Sequence, residues 1–286
     1  CWIVLNQEGV HSDVARLIEK MDEHEDLKES IISADQAVEL ANSQSLLVMV
    51  DHSKRSITTS EELFDKLSNR VIIIDHHRRG TEFPENPVLV YIEPYASSTG
   101  ELITEMFEYQ SHDGEPIQPI EATAILAGIE VDTKSFTERT GTRTFDAASY
   151  LRSVGANEKT IRYLLKENVD SYMQRNHLID TMQFIEDKYA ICTGEDDRMY
   201  DPVIAAQAAD SLLNISGVEA SFVITRRGDH AVGISARSAG TENVQVIMEE
   251  LGGGGHLAMA ATQIEDVSVE EAEQQLVEIL QENQKD

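Results

Sequence analysis

Basic residues are scarce in this chain. Lysine and arginine total 23 against 52 aspartates and glutamates in 286 residues, for a net charge of −29. Proteins that grip long nucleic acids need a cationic surface to displace counterions from phosphate, so no long nucleic acid is expected as the main partner. A solvated acidic surface that favours solubility is the plain reading of the charge. Small anionic ligands remain compatible where metal ions or a few arginines reverse the field locally. Cysteine is nearly absent: Cys1 and Cys192 match no metal spacing and suggest no disulfide framework, which points to a reducing cytoplasm. No run approaches the roughly 18 apolar residues of a membrane span, so no membrane contact is expected from this fragment. No secretory signal is expected at its start. Repeats and low-complexity linkers are also missing.

What is present is alternation. "CWIVLN", "SLLVMVD" at 45–51, "RVIIID" at 70–75 and "PVLVYIE" at 87–93 read as short strands, and "SDVARLIEKM" and "SADQAVELA" between them have helical spacing. Such alternation predicts an α/β fold with a parallel, doubly wound sheet. "STGELITEMFEYQ" follows as a helix with Ser98 or Thr99 as N-cap. "IEATAILAGIEVDTKSF" reads as a buried, mostly apolar helix running into Asp132. At this length two domains are expected: 1–150, a helical connector over 151–187, and a smaller mixed α/β domain over 188–286. In the second domain "ASFVITRRGDHAVGISARS" holds two β runs flanking Gly228-Asp229, a hairpin signal.

The chemistry gathers at strand ends. In "VIIIDHHRRG", from Val71 to Gly80, a strand suited to burial on both faces runs into an aspartate and two histidines. Buried charge is costly unless paired or metal-bound. In open α/β sheets ligands sit beyond the carboxyl ends of the strands. Asp51 and Asp75 each end a strand, His76 and His77 follow the second, and Asp132 could reach the same crevice. Oxygen and imidazole donors without thiolate suit Mn²⁺, with Mg²⁺ or Co²⁺ as alternatives. Taken singly, each such residue has a bland reading as a cap, a core residue or a surface residue. Downstream, "LGGGGH" holds more glycines than a helix C-cap needs. It reads either as a flexible loop or as a concave run of N–H groups that can hold an anion. Arg237 and Ser238 in "ISARS" stand at a strand end, where a guanidinium either clamps a phosphate or makes a surface ion pair.

These motifs together resemble the DHH phosphoesterase superfamily with its DHH-associated C-terminal domain, most closely its cyclic di-AMP phosphodiesterases of the GdpP type. The stretches "VIIIDHHRRG", "EPYASSTGELITEM", "AGIEVDTKSFTERTGTRTFDAASYLR" and "ISARSAGTENVQVIMEELGGGGHLAMAATQ" carry the likeness and cover most of the chain. The resemblance implies that Asp51, His76 and Asp132 hold part of a two-ion Mn²⁺ centre, with Asp51 bridging both ions. It also implies that Asp75 orients the histidines, that His77 faces the scissile phosphate, and that Arg237, Ser238, Gly253, Gly254, Gly255 and His256 grip the nucleotide across the cleft. The implied reaction opens cyclic di-AMP to linear 5′-pApA. A homodimer is compatible with this likeness. Relatives of this type are usually anchored by two N-terminal membrane helices, which implies a catalytic region facing the cytoplasm and a parent protein in the cell membrane.

Two departures stand out. The family's first metal element, His-x-x-x-Asp-x-Asp, is absent; "VHSDVAR" at 10–16 is the nearest string, with the wrong spacing. The domain is therefore expected to lack its first strand and the ligands on it. The strand-two motif reads "VDHSKRS", whereas similar proteins usually carry Asp-Thr-His-Lys-Pro. Two other functions compete: a nanoRNase-like phosphodiesterase acting on pApA, short oligonucleotides or pAp, and a module that binds a dinucleotide without cleaving it.

Overall fold

A computed structural model describes all residues except 7, 8, 81, 111–115 and 283–286. The chain divides into two compact units, Cys1–Lys166 and Glu167–Asp286.

The first unit alternates as the sequence predicts: β1 (Ile3–Val4), α1 (Ser12–Asp22), β2 (Ile31–Ile32), α2 (Ala34–Leu40), β3 (Leu47–Val50), α3 (Glu61–Leu67), β4 (Val71–Asp75) and β5 (Leu89–Ile92). Four helices follow: α4 (Thr99–Glu108), α5 (Pro119–Asp132), α6 (Thr142–Ser153) and α7 (Glu158–Leu164). Every strand pairing here is parallel, but the strands form two sheets: β3–β4–β5, and a separate β1–β2 pair. An apolar groove of about 590 Å³ lies between them, lined by Ile3 and Val4 of β1 and by Val48 and Val50 of β3.

β4 is the middle strand and explains its own composition. Val71 and Ile73 are fully buried with Met49 and Phe64, while Ile74 packs on the opposite face with Ala96 and Leu102. A strand covered on both faces has no polar side to show, hence the unbroken Val-Ile run. Asp75 ends it with no exposed surface at all. Helix α5 is buried for the same reason, through Ala122, Leu126 and Ile129 against Leu151 of α6 and Ile161 of α7. Its apolar length ends at Asp132.

The second unit contains α8 (Val169–Ile179), β6 (Gln183–Ile185), β7 (Tyr189–Thr193), α9 (Pro202–Leu212), β8 (Ala220–Gly228), β9 (Ala231–Ser238), α10 (Val244–Glu250), β10 (Gly254–His256), β11 (Met259–Glu265) and α11 (Val269–Glu282). They form one mixed sheet in the order β10-β11-β9-β8-β7-β6, with β7 and β8 parallel and the other pairs antiparallel. Alanines 205, 208 and 209 bring α9 close to one face. Leu276 and Leu280 of α11 cover the other, against Phe222 and Ile234.

Three local readings shift. The stretch 151–187 is shared between the units, α7 packing in the first and α8 in the second. Its last part is the short strand β6, too brief at three residues to show a period. The β8–β9 turn falls at Asp229-His230, because Gly228 already pairs with Ala231 after a bulge. The glycine tract is no loop beyond Gly253: Gly254 and Gly255 are strand residues paired with Ala261 and Ala260.

Candidate metal centre

Strands β3 and β4 end side by side, so their terminal residues emerge together. The Asp51 N–H still bonds the Ile74 carbonyl (3.0 Å), which extends the ladder by one step. There the chain turns, with Asp51 at φ +64°, a left-handed conformation that aspartate adopts more readily than most residues. Its carboxylate is thereby aimed at the end of β4.

His76 is 5% exposed, and its Nδ1 lies 3.3 Å from the Ala96 carbonyl oxygen. A carbonyl only accepts, so Nδ1 carries the proton and the lone pair of a neutral ring sits on Nε2. That Nε2 is buried without a hydrogen-bond partner. It faces Asp51 Oδ1 at 3.5 Å and Asp132 Oδ2 at 3.8 Å, beyond hydrogen-bond range. Three acceptor groups thus converge, and none of them donates a hydrogen bond to another. Their mutual repulsion is relieved by a cation, and the N/O donor set suits a divalent ion.

His77 adds a fourth group. Its backbone N–H and its Nδ1 both donate to Asp75 Oδ1, at 3.0 and 2.8 Å. The Nε2 lone pair is left for the site, and one donor atom each from Asp51, His76 and His77 lies within 4.8 Å of the others. Burial alone would raise the Asp75 carboxyl, but the bonds from His77 outweigh it and hold the group below the ordinary aspartate range. Asp132 moves the other way, pushed up first by burial and then by the charge of Asp51. Divalent charge beside it would reverse that penalty.

Thr99 was not singled out by sequence as a partner in this cluster. Ser98 caps α4 by accepting the Glu101 N–H, and Thr99 Oγ1 donates to Asp51 Oδ1 at 2.8 Å. The run of three hydroxyl residues in "SSTG" was the available signal, since one helix needs one cap. His11 and Asp13 of the "VHSDVAR" string stand at the start of α1, where Asp13 pairs with Arg16. His52 Nδ1 donates to the Val50 carbonyl, and its Nε2 is buried without a partner.

The sequence-predicted residues of the second unit form their own group. Arg237 pairs with Met259 across β9–β11, and Met259 pairs with His256 across β11–β10. Registered partners share a sheet face, so Arg237 and His256 stand in one row, about 10 Å apart at two strand spacings. Arg237 Nε donates to Asp210 Oδ1 (3.2 Å) and a terminal nitrogen donates to the Ala236 carbonyl. Ser238 Oγ accepts the Gly240 and Glu242 N–H groups, holding the loop before α10. A Cβ at Gly253 would stand 2.3 Å from the Ala261 oxygen, and one at Gly255 2.4 Å from the Met259 oxygen. Packing on β11 therefore explains those two glycines. Nothing lies within 4 Å of a Cβ at Gly254.

Comparison with known proteins agrees with this division. Residues 4–129 match the DHH family N-terminal domain, and residues 186–286 match the DHHA1 domain. The chain is 53% identical to the cyclic-di-AMP phosphodiesterase PdeA of Listeria monocytogenes over 96% of its own length. It is 50% identical to the cyclic-di-AMP phosphodiesterase GdpP of Bacillus subtilis over the same share. It spans 42% of the length of each of these curated relatives. A crystal structure of an exopolyphosphatase-related protein from Bacteroides fragilis superposes with a TM-score of 0.69 at 20% identity, covering 92% of this chain and 79% of that one, a likeness of fold. The paired domains and the Asp-His-His edge agree, and the chain belongs to the DHH family, with a DHHA1 domain following its DHH domain.

Proposed function

We propose that this chain is the hydrolytic region of a cyclic di-AMP phosphodiesterase that opens its substrate to 5′-pApA. The observation that supports hydrolysis is the convergence of Asp51 and Asp132 on the buried, unpartnered His76 Nε2. The choice of substrate rests on the likeness to the Listeria and Bacillus enzymes.

In this reading Asp51, His76 and Asp132 hold divalent metal, Mn²⁺ by preference for mixed nitrogen and oxygen donors. When bound, the metal supplies a water of lowered pKa and a counter-charge for the phosphoryl oxygens. Asp75 keeps His77 in the tautomer whose Nε2 faces the site. His77 is then placed to meet the scissile phosphate. Arg237 and His256, with the open backbone at Gly254, are the groups we assign to substrate phosphate and nucleotide. Water adds to one phosphorus and the 3′-oxygen leaves with a proton, so a single cut gives a 5′-phosphate and a free 3′-hydroxyl.

Among the described residues no helix is long and apolar enough to cross a membrane. Both cysteines are free, which supports a cytoplasmic site of action for this region. The test is direct: incubate the chain with MnCl₂ and either cyclic di-AMP or pApA, and resolve the products by chromatography. Accumulating pApA is the expected result. AMP released from pApA with the cyclic dinucleotide untouched would reassign the chain to short-oligonucleotide trimming.

A further inference from the structure

The first turn of α4 is built more firmly than a helix start requires. Ser98 already caps it. Glu101, 2% exposed, accepts from Ser97 Oγ (2.6 Å) and from Thr144 Oγ1 of α6 (2.7 Å). Gly100 lies so close to α5 that a Cβ there would stand 3.1 Å from Ile129 Cγ1 and 3.3 Å from the Ile125 oxygen. The turn is thus tied to α6 by Glu101 and pressed on α5, the helix that ends in Asp132. Thr99 sits between these two anchors, 5% exposed. At the first helical position it has no carbonyl one turn back within the helix to bond, and the cap is taken, so its hydroxyl is free to reach outward. It reaches Asp51 Oδ1 at 2.8 Å.

Asp51 needs such a partner. Its side chain is 54% exposed and follows a left-handed backbone step, so little packing holds the carboxylate in one rotamer. We infer that Thr99 is a positioning residue for Asp51, fixing the carboxylate plane so that its remaining lone pairs face His76 and Asp132. The inference rests on the cation reading of the centre given above. Groups that orient a ligand in this way typically contribute 10–100-fold to metal affinity.

The test compares the wild-type chain with T99V, which keeps shape and removes the hydroxyl, and T99S, which keeps the hydroxyl. MnCl₂ is titrated into each by calorimetry, thermal melts are recorded without metal, and kcat and KM are measured on cyclic di-AMP. T99V is expected to bind Mn²⁺ about 10–100-fold more weakly, to lose kcat with KM little changed, and to melt near wild type. T99S is expected to recover most of the affinity. Should T99V lower the melting temperature, T99A removes the same hydroxyl without placing a methyl against Asp51, and carries the same expectation. Wild-type affinity in T99V, or in T99A where that replaces it, would overturn the inference while leaving the hydrolase reading intact. Equal weakness in T99S would also overturn it, because a hydroxyl at this position would then not suffice to hold Asp51. Mn²⁺ uptake that depends on Thr99, without any turnover of cyclic di-AMP, would remove the hydrolase reading and leave the positioning role standing. A wild-type chain that takes up no Mn²⁺ would overturn both.

Discussion

The edge of β4 and the glycine edge of β10 are both polar interruptions of apolar sequence, yet the fold treats them in opposite ways. Among the described residues, four buried side-chain polar atoms lack a hydrogen bond, and three of them, His52 Nε2, Asp75 Oδ2 and His76 Nε2, follow or end β3 and β4. At the glycine edge the demands are met inside the unit. Ser238 holds its own loop, Arg237 pairs with Asp210, and Gly253 and Gly255 lie flat against β11. An unmet buried acceptor carries a desolvation cost that something must offset, so the first edge advertises a ligand. The second is self-sufficient, and its case for binding narrows to the open face at Gly254 and the row from Arg237 to His256.

The contrast breaks first at its strongest point. His76→Ala or Asp51→Asn should reduce Mn²⁺ affinity and cyclic di-AMP hydrolysis by more than the roughly 100-fold typical of outer-sphere changes, as read by calorimetry and product chromatography. Retained affinity would dissolve the first edge as a centre. Asp75→Asn should cost about 10–100-fold in turnover, because Asp75 Oδ1 accepts two hydrogen bonds from His77. The glycines then separate packing from binding. Gly253→Ala should destabilise the second unit by about 1–3 kcal/mol in chemical denaturation, since its Cβ overpacks β11. Gly254→Ala, facing open space, should leave stability unchanged and raise KM for the cyclic dinucleotide. Unchanged KM there would return the whole tract to a structural role.

The smallest effect concerns acid. Tyr200 and His177 both bond Glu195 in the second unit (2.5 Å each) and draw its carboxyl down to about 2. A carboxyl lowered by folding stabilises above its unfolded value of about 4.5 and loses that contribution as pH falls toward 2. Tyr200→Phe should flatten the fall in stability over that window. Because Glu195 is half exposed, the change should stay below about 1 kcal/mol.

Much of this was legible from residue order. The Val-Ile run of β4, Ser98 as a cap candidate, the β8–β9 hairpin and the Asp-His-His edge all follow from period, turn chemistry and the cost of buried charge. Short or irregular pieces were not. β6 has only three residues, and the parallel strands of the first unit fall into two sheets. Thr99 gave only the faint sign of standing in a run of three hydroxyl residues where one cap is needed.

Residue order alone singled out Asp51, Asp75, His76, His77 and Asp132 as candidate chemistry and marked most of the longer strands and helices, because those depend on neighbours two to four positions away. Only the tertiary structure decided how they meet. The packing of α5 carries Asp132 to the end of β4, the Ala96 carbonyl sets which His76 nitrogen is bare, α4 delivers a hydroxyl to Asp51, and β11 turns a glycine tract into a strand. Each of those contacts joins parts of the chain distant in sequence, and no local periodicity encodes the angle at which two buried elements pack.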